Sequence, residues 1–127
     1  MKNYKVVVVG NPSSLKNSLI RSIVSEKKFQ GPTSVGNTDF STYTVNQTNF
    51  DIFNCVGKLD AVRDAKLAII VEGGEDTPTP SDYKTSITKL TDDIPIHIVS
   101  GSFEGMKEQI VFIFGFYSGT FSTLLDN

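Results

Sequence analysis

Lys16, Asn17 and Ser18 are the residues best placed to do chemistry. They follow a β-branched run, Val6-Val7-Val8-Val9, and a short connection that begins Gly10-Asn11-Pro12, and they stand near the start of a helical pattern. A lysine at a helix N-terminus can hold a phosphate, because the free N–H groups and the helix dipole add to its own charge. The other reading of Lys16 is a solvated lysine on the polar face of that helix. Thr33, in the polar stretch from Gln30 to Asn37, offers a hydroxyl on a loop that can bind a partner or simply connect two elements.

The remaining reactive types read structurally. Cys55 lies at a strand end between Asn54 and Val56, as a buried thiol does. His97 alternates with Ile96 and Ile98 and has no Cys or His cluster beside it, so a structural histidine is expected rather than a metal ligand or base. Thr77-Pro78 and Thr79-Pro80 read as a stiff loop, with proline-directed phosphorylation the alternative.

Composition narrows the field. With 127 residues the chain is expected to form a single domain, 1–127, with a core large enough to fold without staples. The net charge of -2, with 12 basic against 14 acidic residues, argues against nucleic-acid binding by bulk charge. The single cysteine excludes an intrachain disulfide and a Cys-based zinc cage. The four-valine run is too short for a signal core or a membrane span, and neither end carries a lipidation signal. A cytoplasmic location with no direct membrane anchor is expected.

The elements that must position these residues follow from periodicity. Val6–Val9 reads as a strand buried on both faces. Leu15, Leu19, Ile20, Ile23 and Val24 have helical spacing, with Ser13 or Ser14 as cap and Lys16, Asn17, Arg21 and Ser22 on the other side. Phe40–Val45 and Phe50–Val56 form a hairpin, and residues 57–64 a loop or short helix. Leu67–Val71 is a buried strand. Ser81 is the expected cap of a short helix through Tyr83, Ile87 and Leu90. A strand at Ile96–Val99 and a helix from Phe103 complete the order, the helix carrying Met106, Ile110, Ile113, Phe114, Tyr117 and Phe121 on one stripe. The expected fold is α/β, a doubly wound, mostly parallel sheet of about five to six strands with one antiparallel edge hairpin. Val111, Phe112 and Phe116 fall off the main stripe, so the last helix is apolar nearly all round. Phe112 to Phe121 is therefore expected to dock on another protein or a second copy.

The segment from Lys5 to Ser22 resembles the start of Ras-like small GTPases, in which a strand runs into G-x-x-x-x-G-K-[ST] and a helix. Phe29–Val45 looks like the first switch loop and following strand of Rab-type members, with Thr33 at the switch threonine. Asp51-Ile-Phe-Asn54-Cys55-Val56-Gly57-Lys58 stands where the family has a strand and D-T-A-G-Q, and Leu67–Val71 matches the next strand. The likeness covers roughly residues 5 to 100. It implies a P-loop-type fold, with Lys16, Asn17, Ser18, Thr33 and Gly57 as the positions that would meet GTP or GDP and Mg²⁺.

The departures weigh more. Leu15 replaces the second glycine of the phosphate loop. Asn17 replaces the Mg²⁺-binding hydroxyl, and Ser18 comes one place late. Asn54 replaces the Mg²⁺-associated Asp, and Lys58 the water-orienting Gln. The guanine-reading N-K-x-D is absent, and the strand before Ser100-Gly101-Ser102 aligns either with that unit or with the later S-A-K strand. Either way the chain is one strand–helix unit short. The resemblance thus implies a pseudo-GTPase: a non-catalytic interaction module without cofactor or metal, working with proteins of membrane traffic, cytoskeletal or signalling assemblies. Thr33, Phe112, Phe116 and Phe121 are its expected partner-binding residues. The alternative is a GTP/GDP switch with a non-standard phosphate loop and weak or no hydrolysis. A phospho-receiver or small-ligand domain is the third option, and it lacks the paired acidic residues after the first strand, where Asn11 and Pro12 stand.

Overall fold

The computed structural model describes residues 2–11, 13–24, 33–35, 38–45, 47–55, 60–72, 79–91 and 94–126. Strand β1 (Lys2–Asn11) leads into helix α1 (Ser13–Val24), followed by β2 (Thr33–Val35), β3 (Thr38–Val45) and β4 (Thr48–Cys55). A 3₁₀ helix over Asp60–Asp64 precedes β5 (Leu67–Glu72), and α2 (Pro80–Leu90), β6 (Ile96–Val99) and α3 (Phe103–Asp126) follow. The six strands lie in the order β2-β3-β4-β1-β5-β6. Pairs β1–β4, β1–β5 and β5–β6 are parallel, whereas β2–β3 and β3–β4 are antiparallel. The fold is α/β on a mixed sheet with helices on both faces.

The valine run shows why. Val6 and Val8 pack into one core layer with Leu19, Ile20 and Ile23 of α1 and Met106, Ile110 and Phe114 of α3. Val7 and Val9 turn to the opposite layer, beneath Ile87 of α2 and Val62 of the 3₁₀ helix. Alternate side chains of one strand thus feed two cores, which only a strand covered on both sides can do. Each fully buried aliphatic side chain contributes roughly 1.5–3 kcal/mol. Phe114 fastens α3, stacking on Phe50 at 4.8 Å between centroids and standing 5.4 Å from Tyr43.

Three local expectations need correction. Thr33–Val35 is a strand rather than loop, satisfying the outer hydrogen-bonding edge of β3. Helix α1 begins at Ser13, so Ser13 and Ser14 belong to its first turn and do not precede it. The cap of α2 is Thr79, not Ser81: its hydroxyl accepts from the Asp82 N–H while the Asp82 carboxylate accepts from the Thr79 N–H, with Pro80 opening the helix. Gly57, Lys58 and Thr77-Pro78 lie outside the described residues, as do the side chains of Thr33 and Phe121.

Candidate functional site

Parallel strands of an α/β sheet present their carboxyl ends to a common rim, where such folds bind ligands. Here the rim joins the end of β1, the first turn of α1 and the end of β4. Gly10, next to last in β1, has φ +131°, and a Cβ there would stand 2.3 Å from the Val71 carbonyl oxygen. Only glycine fits that backbone and that contact.

Lys16 is buried, with 2% of its surface exposed. It does not lie on the polar face of α1. It precedes Leu19 and Ile20 by three and four residues, which puts it on the apolar stripe. Its Nζ donates to the Cys55 carbonyl at 2.5 Å, tying the start of α1 to the end of β4. Leu15 is helical, and its side chain packs against the α1/α3 core.

Asn54, also fully buried, donates a carboxamide N–H to Asn17 Oδ1 at 2.5 Å. Its own Oδ1 has no hydrogen-bond partner. Ser18 is exposed and plays no part in this contact. Burial pushes the Cys55 thiol up to about 11, although the Lys16 and Lys5 ammonium groups offset part of that rise. The structure therefore brings together Lys16, Asn17, Asn54 and Cys55, which are far apart in sequence. Two neutral amides bonded to each other do not fit Mg²⁺, which is held mainly through carboxylates, phosphates and water. Among the described residues no three His, Cys, Asp or Glu side chains group to hold a metal.

The second feature lies at the β6 edge. Phe112 is 74% exposed, Phe116 57% and Ile98 46%. A groove of about 610 Å³ runs between β6 and α3, lined by His97, Ile98, Glu108, Gln109 and Phe112 among others. His97 Nε2 hydrogen-bonds the Tyr117 hydroxyl at 2.7 Å, which gives the lone histidine a structural partner. The stripe off the main face of α3 was legible in sequence. The groove was not, because it needs β6 beside α3.

No protein-family model matches this chain, and no curated protein is significantly similar to it. No helix among the described residues is long and apolar enough to cross a membrane.

Proposed function

We propose that this protein is a non-catalytic interaction module on a small-GTPase-like fold. The observation that carries the reading is the Asn17–Asn54 amide pair. At the two positions where the resemblance expects a hydroxyl and a carboxylate around Mg²⁺, two uncharged amides meet in a single hydrogen bond. Lys16, at the phosphate-lysine position, is engaged by a backbone carbonyl. Leu15 continues the helix where a phosphate loop turns. Phosphoryl transfer depends almost wholly on positioning and charge stabilisation, and the Asn17–Asn54 contact puts amides where the resemblance expects a metal-binding hydroxyl and carboxylate. The exposed aromatics of α3 are the surface through which such a module would work, with partners in traffic, cytoskeletal or signalling assemblies.

One observation favours a second reading, a GTP/GDP-binding switch. The Asn54 Oδ1 is a buried acceptor without a donor, on the side chain that meets Asn17. Calorimetric titration with GTP, GDP and ATP in the presence of Mg²⁺, with melting followed in parallel, separates the two. A ligand at about 100 times its dissociation constant stabilises by about 2.7 kcal/mol. A flat response is expected. Saturable binding that Lys16→Ala abolishes would establish the switch instead.

A further inference from the structure

The sheet has two edges, and they differ. Edge strand β2 is three residues long, a length that itself discourages added strands. Strand β6 reads Ile96-His97-Ile98-Val99, with no lysine, proline or inward charge to guard it. The bond from the Ala68 N–H to the Pro95 carbonyl, with Ala68 opposite Ile96, sets the phase of the ladder. His97 and Val99 turn their backbone groups to β5. Those of Ile96 and Ile98 face outward, where no described strand covers them.

The next outward residue shows what this edge accepts. Ser100 donates its N–H to Gln109 Oε1 at 3.3 Å and takes an N–H from Gln109 Nε2 at 2.7 Å. A side-chain carboxamide has the donor and acceptor of a peptide unit. Gln109 thus pairs Ser100 as an adjoining strand would, and among the described residues no strand reaches the outward groups of Ile96 and Ile98.

The flank of the edge sets the chemistry of the guest. Glu104, Glu108, Phe112 and Phe116 recur every four residues on α3, and all are exposed. Like charges at that spacing repel. Neither glutamate takes part in the Lys5–Asp64 ion pair, and both stand exposed on α3. Val99 packs on the α3 side of the sheet and Ile96 on the α2 side, so an added strand would send alternate side chains to each. One set would meet Glu108 and Phe112, and the other would lie along the exposed Ile98.

We propose that the free edge of β6 takes an extended segment of a partner protein, alternating apolar and basic residues, as an added strand. Backbone bonds to Ile96 and Ile98 supply the pairing, Glu108 takes the basic side chains with Phe112 against their apolar stems, and the exposed Ile98 covers the apolar ones on the opposite face. The proposal rests on the interaction reading above and names its surface and the chemistry of its partner.

The test uses the whole protein and a fluorescent peptide of about eight residues alternating valine and lysine. Binding is followed by anisotropy, without nucleotide or Mg²⁺, and the mass of the free protein by sedimentation. Saturable binding to a monomer is expected. It should weaken about tenfold or more when alternate peptide nitrogens are methylated, which removes the edge hydrogen bonds. The Ile98→Pro variant removes an edge donor that the β5 ladder does not use, and should give a similar loss with melting little changed. Glu108→Lys, or glutamate for lysine in the peptide, should abolish binding. The absence of saturable binding, or equal binding of the methylated peptide, would overturn the proposal. So would a dimer that Ile98→Pro dissolves, which would show that a second copy owns the edge. Guanine-nucleotide binding in the separate titration would end the reading of a nucleotide-free module while leaving this peptide result as measured.

Discussion

Asn54 and Asn17 join the end of β4 to the first turn of α1 through a single 2.5 Å hydrogen bond. The bond uses one end of the Asn54 carboxamide, and the other end is already buried without a partner. Asn17→Ala would leave both ends unmet. A buried polar group stripped of its partner costs about 1–3 kcal/mol, so the urea midpoint should fall by that equivalent at unchanged slope. A loss under about 0.5 kcal/mol would mean that the pair contributes little to holding α1 on the sheet.

Lys16 makes a second tie between the same two elements. Lys16→Met keeps the apolar stem in the core and leaves the Cys55 carbonyl without this donor. It should also lower stability by about 1–3 kcal/mol, with no nucleotide present. A lysine kept for phosphate would behave otherwise: its removal would leave the free protein's unfolding curve alone and change only the response to ligand.

These ties show where the sequence was readable. Val6–Val9 announced a strand buried on both faces, and the spacing from Phe103 announced α3 with Met106, Ile110, Ile113 and Phe114 inside. The first spoke through its unbroken β-branched run and the second through a helical period sustained over several turns. Thr33–Val35 is too short to show a period, and it exists because β3 offers it an edge. Lys16 was misplaced because its charge suggested solvent, whereas its position three and four residues before Leu19 and Ile20 put it inside. Thr79 and Asp82 spelled a capping box in plain view beside the weaker candidate Ser81. The Asn17–Asn54 contact spans 37 positions and involves no titratable group, so local patterning could not have paired them.

Cys55 gives the protein a pH dependence. Burial raises its thiol from 9.0 to about 11. Between those values the unfolded chain releases the thiol proton and the folded chain keeps it, so the unfolded state binds fewer protons. Stability therefore falls as pH rises through this window, with a limiting slope of about 1.4 kcal/mol per unit, and this group contributes no slope below it. Urea unfolding on either side of pH 9 checks this, and the Cys55→Ala variant should lose that component. A wild-type and a variant profile that run parallel would contradict it.

Gly10 should tolerate no side chain. Its φ of +131° is a conformation that L-residues avoid, and the added Cβ would meet the Val71 oxygen. Backbone strain of this kind costs roughly 1–3 kcal/mol, and the collision adds to it by prising β1 from β5. Gly10→Ala should unfold at markedly lower urea, whereas Gly115→Ala, whose Cβ meets nothing within 4 Å, should be neutral or stabilising.

Phenylalanines within one helical turn of each other on α3 should behave in opposite ways. Phe114 is buried against Phe50 and Tyr43, so Phe114→Ala should cost about 3–5 kcal/mol, a loss large enough to threaten folding. Phe112 and Phe116 project from the same helix with most of their surface in water. Phe112→Ser and Phe116→Ser should change stability by no more than about 0.5 kcal/mol, because little apolar area is lost from the core. They should, however, reduce binding of a hydrophobic dye to the folded protein and improve solubility, since large exposed apolar side chains are what such probes and neighbouring molecules find. If either serine variant proved as damaging as Phe114→Ala, that ring would belong to the core, and the outer stripe of α3 would no longer be available to a partner.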